Sequence, residues 1–152
     1  MNEFDFVVVG GGSGGYAAAR TAAGEGLRTA VIDGSEELGG LCILRGCMPS
    51  KTLIESANRL QDLREAGEFG LHAGNPGFDG PKIIERKKRL ISGFAQYRAE
   101  QLGSGRFELV RGHARFAGPD KLVVRLLQGG EQTITARSIL VATGSVIRHP
   151  DI

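Results

Sequence analysis

The sequence predicts an α/β domain: a parallel sheet with crossover helices, joined to a small antiparallel β-meander. Three observations point there. A β-branched apolar run, Phe4 to Val9, ends in a glycine cluster and leads into an alanine-rich stretch. A second apolar run follows and closes on Asp33. After Gly105 the apolar spacing changes from a helical period to that of strands.

Taken in order, Phe4 to Val9 reads as a buried parallel strand, because it is apolar on both faces. Gly10 to Gly15 is the turn after it, Tyr16 to Ala23 a helix ended by Gly24 and Gly26, and Leu27 to Ile32 a second strand. Together they make one βαβ unit of about 30 residues. Glu36 to Cys47 reads as loop and turn. From Pro49 a helix carries Leu53, Ile54, Ala57, Leu60 and Leu63 along one face, and it stops near Gly67. Residues 67–81 are rich in glycine and proline and read as a surface loop. Ile83 to Leu102 is a second amphipathic helix, with Ile83, Ile84, Ile91, Phe94 and Leu102 expected in the core and Arg86-Lys87-Lys88-Arg89 as a solvated face. Short strands are expected at Phe107 to Val110, His113 to Phe116, Leu122 to Leu127 and Gln132 to Thr135, with turns at Gly118-Pro119-Asp120 and Gly129-Gly130. Ser138 to Ala142 is a further buried strand leading to Thr143-Gly144, and Pro150-Asp151-Ile152 brings no closing element, so a longer parent protein is expected.

Composition narrows the function classes. At 152 residues there is room for one domain with its own core. The net charge of +2 is too small to imply nucleic-acid or membrane partners. No leader and no apolar run of the roughly 20 residues needed to span a bilayer is visible, so a cytoplasmic protein is expected. Thiols stay reduced in that compartment, which makes a close cysteine pair more often redox-active or metal-binding than a structural staple.

Gly10-x-Gly12-x-x-Gly15 falls between the first strand and the first helix, and Asp33 ends the second strand. This is the pattern of a Rossmann-like dinucleotide site. Gly10 permits a tight turn, Gly12 lets backbone approach a pyrophosphate, and Gly15 lets the helix lie close on the strand. Ser13 and Gly14 lie in the turn ahead of the helix, whose free N–H groups and partial positive charge suit phosphate. Asp33 is placed to accept hydrogen bonds from ribose hydroxyls and argues against NADP; FAD and NAD stay open at this point.

Cys42 and Cys47 are separated by four residues and followed by Met48-Pro49-Ser50-Lys51. A helix N-terminus beside Cys47 is expected to lower its pKa, with Lys51 one turn on along the same face. Two free buried cysteines are the bland alternative. A zinc site wants further ligands that His72, His113 and His149 do not supply by spacing, and a thioredoxin-type pair would have two intervening residues.

The string from Leu38 through Gly40, Cys42 and Cys47 to Lys51 resembles the redox signature of class I pyridine nucleotide-disulfide oxidoreductases, which include dihydrolipoamide dehydrogenase, glutathione reductase and mercuric reductase. The amino-terminal glycine motif, Gly112-His113-Ala114 and Ala142-Thr143-Gly144 agree with it. The resemblance implies an FAD-binding domain, with Asp33 on the adenosine ribose, Lys51 near the flavin, Cys47 as the thiol facing the flavin and Cys42 as the thiol that exchanges with substrate. It places the backbone of Ala114 against adenine and Thr143-Gly144 along the cofactor, and it calls for no metal. Electrons would pass between NAD(H) or NADP(H), FAD, the cysteine pair and a small-molecule disulfide or dithiol, in a homodimer of the full-length protein. Two departures stand out: Asp33 replaces the usual glutamate, and Leu41 the usual threonine. The resemblance further implies that nicotinamide and interface domains lie outside this sequence and that the segment is inactive alone. Mercuric or glutathione reductase-like enzymes and a stand-alone FAD-binding module are the alternatives.

Overall fold

A computed structural model describes residues 2–148; His149 and the Pro150-Asp151-Ile152 ending lie outside the described residues. Strand β1 (Glu3–Val9) leads through helix α1 (Ser13–Gly24) to β2 (Thr29–Asp33). Helices α2 (Gly40–Leu44), α3 (Cys47–Glu65) and α4 (Gly80–Leu102) follow, with a 3-10 turn at Ala66–Phe69. Strands β3 (Glu108–Phe116), β4 (Lys121–Leu126) and β5 (Glu131–Val141) complete the chain.

β1 lies between β2 and β5, parallel to both, and β2 is parallel to β3. β3, β4 and β5 are antiparallel neighbours. The sheet therefore closes on itself as a five-stranded barrel. Closure depends on two long strands that change partner. Residues 108–111 of β3 pair with β2, and residues 112–116 with β4. In β5, residues 131–135 pair with β4, and from Thr135 onward the strand runs beside β1. The sequence reading divided each of these into two strands. The division falls where the pairing changes, but the backbone stays extended through it. Gly112 marks the change in β3: a Cβ there would lie 2.6 Å from the Arg125 carbonyl oxygen.

Side chains alternate across the sheet. Val7 and Ile32 point inward to a barrel core that includes Phe4, Val110, Leu122, Val124 and Ile134. Val8 and Val31 point outward to a second core with Ala19, Leu102 and Phe107, beneath α1 and α4. The Arg98 guanidinium stacks over the Tyr16 ring at 4.0 Å and fastens α4 across α1.

The expected helical core is largely absent. Leu53 and Ile54 on α3 are 37% and 50% exposed, Leu63 is 49% exposed, and Ile84 and Phe94 on α4 are also exposed. Ile83 and Ile91 are half-buried; of the predicted α4 core only Leu102 is fully buried. The amphipathic period is present, but among the described residues no layer covers those faces. The basic run is not wholly solvated either. Arg86 is half-buried, and its guanidinium donates to the Thr52 carbonyl of α3 at 3.1 Å. α4 also begins earlier than expected, because the Asp79 side chain caps it by accepting from the Lys82 N–H.

Candidate dinucleotide and dithiol site

The predicted glycines meet at the carboxyl ends of β1 and β5. Gly10 has φ +109°, and a Cβ there would lie 2.3 Å from the Ala142 carbonyl oxygen and 3.1 Å from the Thr143 Cα. Thr143 thus borders the turn, with Gly144 next to it in the chain. Gly15 has no room at all, since its Cβ would lie 1.8 Å from the Gly10 carbonyl oxygen and 3.0 Å from Val8. That contact presses α1 onto β1. At Gly14 a Cβ would meet nothing within 4 Å, and Ser13 beside it is exposed. No side chain caps α1, whose N-cap is Gly12, and its first turn holds no acidic residue. Uncapped N–H groups over an open glycine cradle fit a pyrophosphate.

Asp33 is buried and anchored from two sides. One carboxylate oxygen accepts from the Gly11 N–H at 2.7 Å, the other from the Ser35 N–H at 2.8 Å. A carboxylate offers about four acceptor positions, so two remain for a ligand. Ala114 is half-buried and its side chain packs against the barrel core, which leaves its backbone for any cofactor contact. His113 is exposed, and its imidazole lies against Gly34, where a Cβ would come within 2.5 Å of the ring.

Expected loop at Glu36 to Cys47 contains the short helix α2, which carries Cys42, and α3 begins at Cys47 rather than near Pro49. Gly40, with φ +72°, joins this segment to the dinucleotide turn: its Cβ would lie 2.7 Å from the Gly12 Cα. Glycine at 40 is what allows this approach, since a Cβ on Gly12 would lie at an ordinary 3.8 Å from the Gly40 Cα. Both cysteines are free thiols, Cys42 half-buried and Cys47 exposed. A side-chain hydrogen bond with Cys42, made by the protonated Cys47 thiol, pushes that thiol above its ordinary range, and charge on Cys42 adds to this, while Lys51 pulls the other way. The lowering expected from the helix N-terminus is therefore overturned in the dithiol form. The neighbouring thiol dominates, because two adjacent thiolates repel and share one proton more readily than none. Ser50 and Thr52 hold the first turn of α3 by donating to the carbonyls of Gly46 and Pro49.

The structure brings Gly10, Gly12, Ser13, Gly14, Gly15, Asp33, Gly40, Thr143 and Gly144 around one turn, and Cys42, Cys47 and Lys51 on the segment laid against it. It adds Gly11 and Gly34, where a Cβ would meet the Asp33 carboxylate at 2.8 Å and the exposed His113 ring at 2.5 Å, and Arg111, whose guanidinium NH2 donates to the Ser35 and Glu36 carbonyls. A run of three glycines was a visible hint for Gly11. Arg111 is found only from strand register. A cleft of about 590 Å³ lies elsewhere, between α3 and the start of α4, and contains none of these residues. Among the described residues no three metal-ligating side chains cluster, and no helix is long and apolar enough to cross a membrane.

Comparison with known proteins agrees with this arrangement. A dihydrolipoyl dehydrogenase of Zymomonas mobilis is 34% identical over 148 residues, covering 97% of this chain and 32% of the relative. One from Chlamydia muridarum is 38% identical over 146 residues, covering 95% of this chain and 31% of the relative. Among solved structures, the Cu(II) complex of the HOCl-induced flavoprotein disulfide reductase RclA from Escherichia coli superposes with a TM-score of 0.75 at 27% identity, over 100% of this chain and 31% of that one. The chain thus spans about a third of the length of these proteins. The family model for pyridine nucleotide-disulphide oxidoreductase matches residues 4–152, and the chain belongs to that family.

Proposed function

We propose that this chain is the FAD-binding part of an FAD-dependent disulfide oxidoreductase most like dihydrolipoamide dehydrogenase. The observation that carries the reading is the approach of Gly40 to Gly12, which lays the dithiol segment directly on the dinucleotide turn. The α1 N-terminus with Gly12, Ser13 and Gly14 holds the pyrophosphate, Asp33 accepts from the adenosine ribose, and Ala114, Thr143 and Gly144 border the cofactor. Bound FAD supplies two-electron exchange between NAD(P)H and sulfur.

The cysteines do the rest. The Cys42 thiolate attacks one sulfur of a small-molecule disulfide and expels the first thiol. Cys47 then attacks the Cys42 sulfur, the second thiol leaves, and a Cys42–Cys47 disulfide remains. Two electrons have left the dithiol, and the reverse sequence oxidises a substrate dithiol. Lys51 stabilises the Cys47 thiolate. Nicotinamide and interface domains, a homodimeric assembly and a cytoplasmic setting complete the reading; the exposed apolar faces of α3 and α4 and the threefold greater length of the relatives support further domains.

The test is to titrate the 152-residue chain with FAD by flavin fluorescence, then treat it with oxidised lipoamide and weigh it. Weak, dialysable FAD binding and a loss of two hydrogens at Cys42 and Cys47 are expected. No flavin binding, or a cysteine pair inert to the disulfide, overturns the reading.

A further inference from the structure

Asp33 stands at the adenosine end of the proposed site, yet its carboxylate does not stand alone. It closes a chain of hydrogen bonds that begins on another strand. Arg111 on β3 is the register partner of Asp33 on β2. Its guanidinium NH2 donates to the carbonyl oxygens of Ser35 and, at 3.4 Å, Glu36. The Ser35 N–H donates to one oxygen of Asp33 at 2.8 Å, and the other oxygen takes the Gly11 N–H at 2.7 Å. The guanidinium NH1 is buried with no partner among the described residues, so the two carbonyls are what hold the group. His113 backs the same segment by lying against Gly34.

We propose that Arg111 is a positioning residue for the adenosine end of the dinucleotide site, holding the 33–36 segment so that Asp33 is set against the glycine turn. The inference rests on the dinucleotide reading above and goes beyond it. Both elements that flank the ligand, the glycine turn and the ribose acid, depend on a side chain that does not itself touch Asp33. Leaving the two carbonyls without their charged donor frees residues 34–36 to move, and the Ser35 N–H then leaves Asp33.

The test compares wild type, Arg111→Ala and Arg111→Lys. ADP, which carries the adenosine and pyrophosphate without flavin, is titrated by calorimetry. Amide exchange of Gly11 and Ser35 is followed by NMR in the ligand-free chain, and the melting midpoint is recorded for each protein. Expected for Arg111→Ala is about tenfold weaker ADP binding, the usual scale for a lost hydrogen bond to a charged group, with faster exchange at Ser35 and Gly11 and protection kept at Val8 and Val31. Arg111→Lys keeps a cation within reach of the carbonyls and restores part of both effects. If Arg111→Ala binds ADP as tightly as wild type, or leaves Ser35 and Gly11 as protected as before, the inference is wrong while the dinucleotide reading stands. Loss of protection throughout the sheet in both variants would assign Arg111 to general stability and also overturn it. If wild type binds neither ADP nor FAD, the dinucleotide reading falls and takes this inference with it.

Discussion

Gly40→Ala tests the contact on which the functional reading depends, and Gly70 supplies a matched control. The two glycines have nearly the same positive φ, +72° and +70°. A methyl group at either must adopt the left-handed region, at about 1–2 kcal/mol. Their surroundings differ. At Gly70 a Cβ meets nothing within 4 Å, whereas at Gly40 it would lie 2.7 Å from the Gly12 Cα. Carbon atoms prefer about 3.5–4.0 Å, so one backbone must retreat by roughly an ångström, at about 1–3 kcal/mol on the scale of overpacked cores. Gly70→Ala should therefore lose about 1–2 kcal/mol and Gly40→Ala about 2–5 kcal/mol, read from urea unfolding of each variant with a common m-value. The contact contributes the difference. Equal losses in the two variants would show that the dithiol segment does not rest on the dinucleotide turn, and the argument from proximity would fail.

Three other outcomes follow from the same geometry. Cys47 reacts as thiolate, and Cys42 raises its pKa, so its alkylation rate should rise along a curve displaced above the ordinary thiol range; Cys42→Ser should move that curve to lower pH and Lys51→Met to higher pH, followed by iodoacetamide kinetics with mass detection. Asp33→Ala strands the Gly11 and Ser35 amides and should lose about 2–3 kcal/mol in urea unfolding, with Asp33→Asn losing less because one acceptor remains. Leu102→Ala should lose about 3 kcal/mol, against under about 0.5 kcal/mol for Leu63→Ser on the uncovered face of α3, by the same measurement.

The dinucleotide turn was legible because its constraint is local. Gly10 takes a positive φ of +109° and a Cβ on Gly15 would strike the Gly10 carbonyl and Val8, so both are required within one strand, one turn and one helix, and the period-two and period-3.6 patterns on either side mark those elements. Barrel closure was not legible: the breaks in apolar spacing within residues 107–116 and 131–142, with Gly112 at the first, mark where pairing changes but not that each strand continues extended through the change. The apolar stripes on α3 and α4 are legible as stripes, but a hydrophobic period shows which side seeks cover and not whether this chain provides it, and of the α4 residues expected in the core only Leu102 is fully buried. The Cys47 shift was missed for a related reason. Helix position is visible in sequence, but the stronger influence comes from Cys42, which α2 turns toward it. Arg111 carried no signal, because its importance lies in facing Asp33 across a strand pair.

The central place of β1 also constrains how such a protein is made. Its two neighbours come from opposite ends of the chain: β2 follows within a few dozen residues, while β5 arrives only with the last strand described. During synthesis the apolar run Phe4 to Val9 therefore waits with one hydrogen-bonding edge open, the kind of edge that recruits other strands. The Gly10 turn waits with it, because its close neighbour is the Ala142 carbonyl. A nascent chain short of Val141 has the dinucleotide motif in its sequence but not the bordering backbone that completes the site. Cofactor capture thus waits until β5 has joined β1, and that slow, long-range pairing is the step that a chaperone would protect.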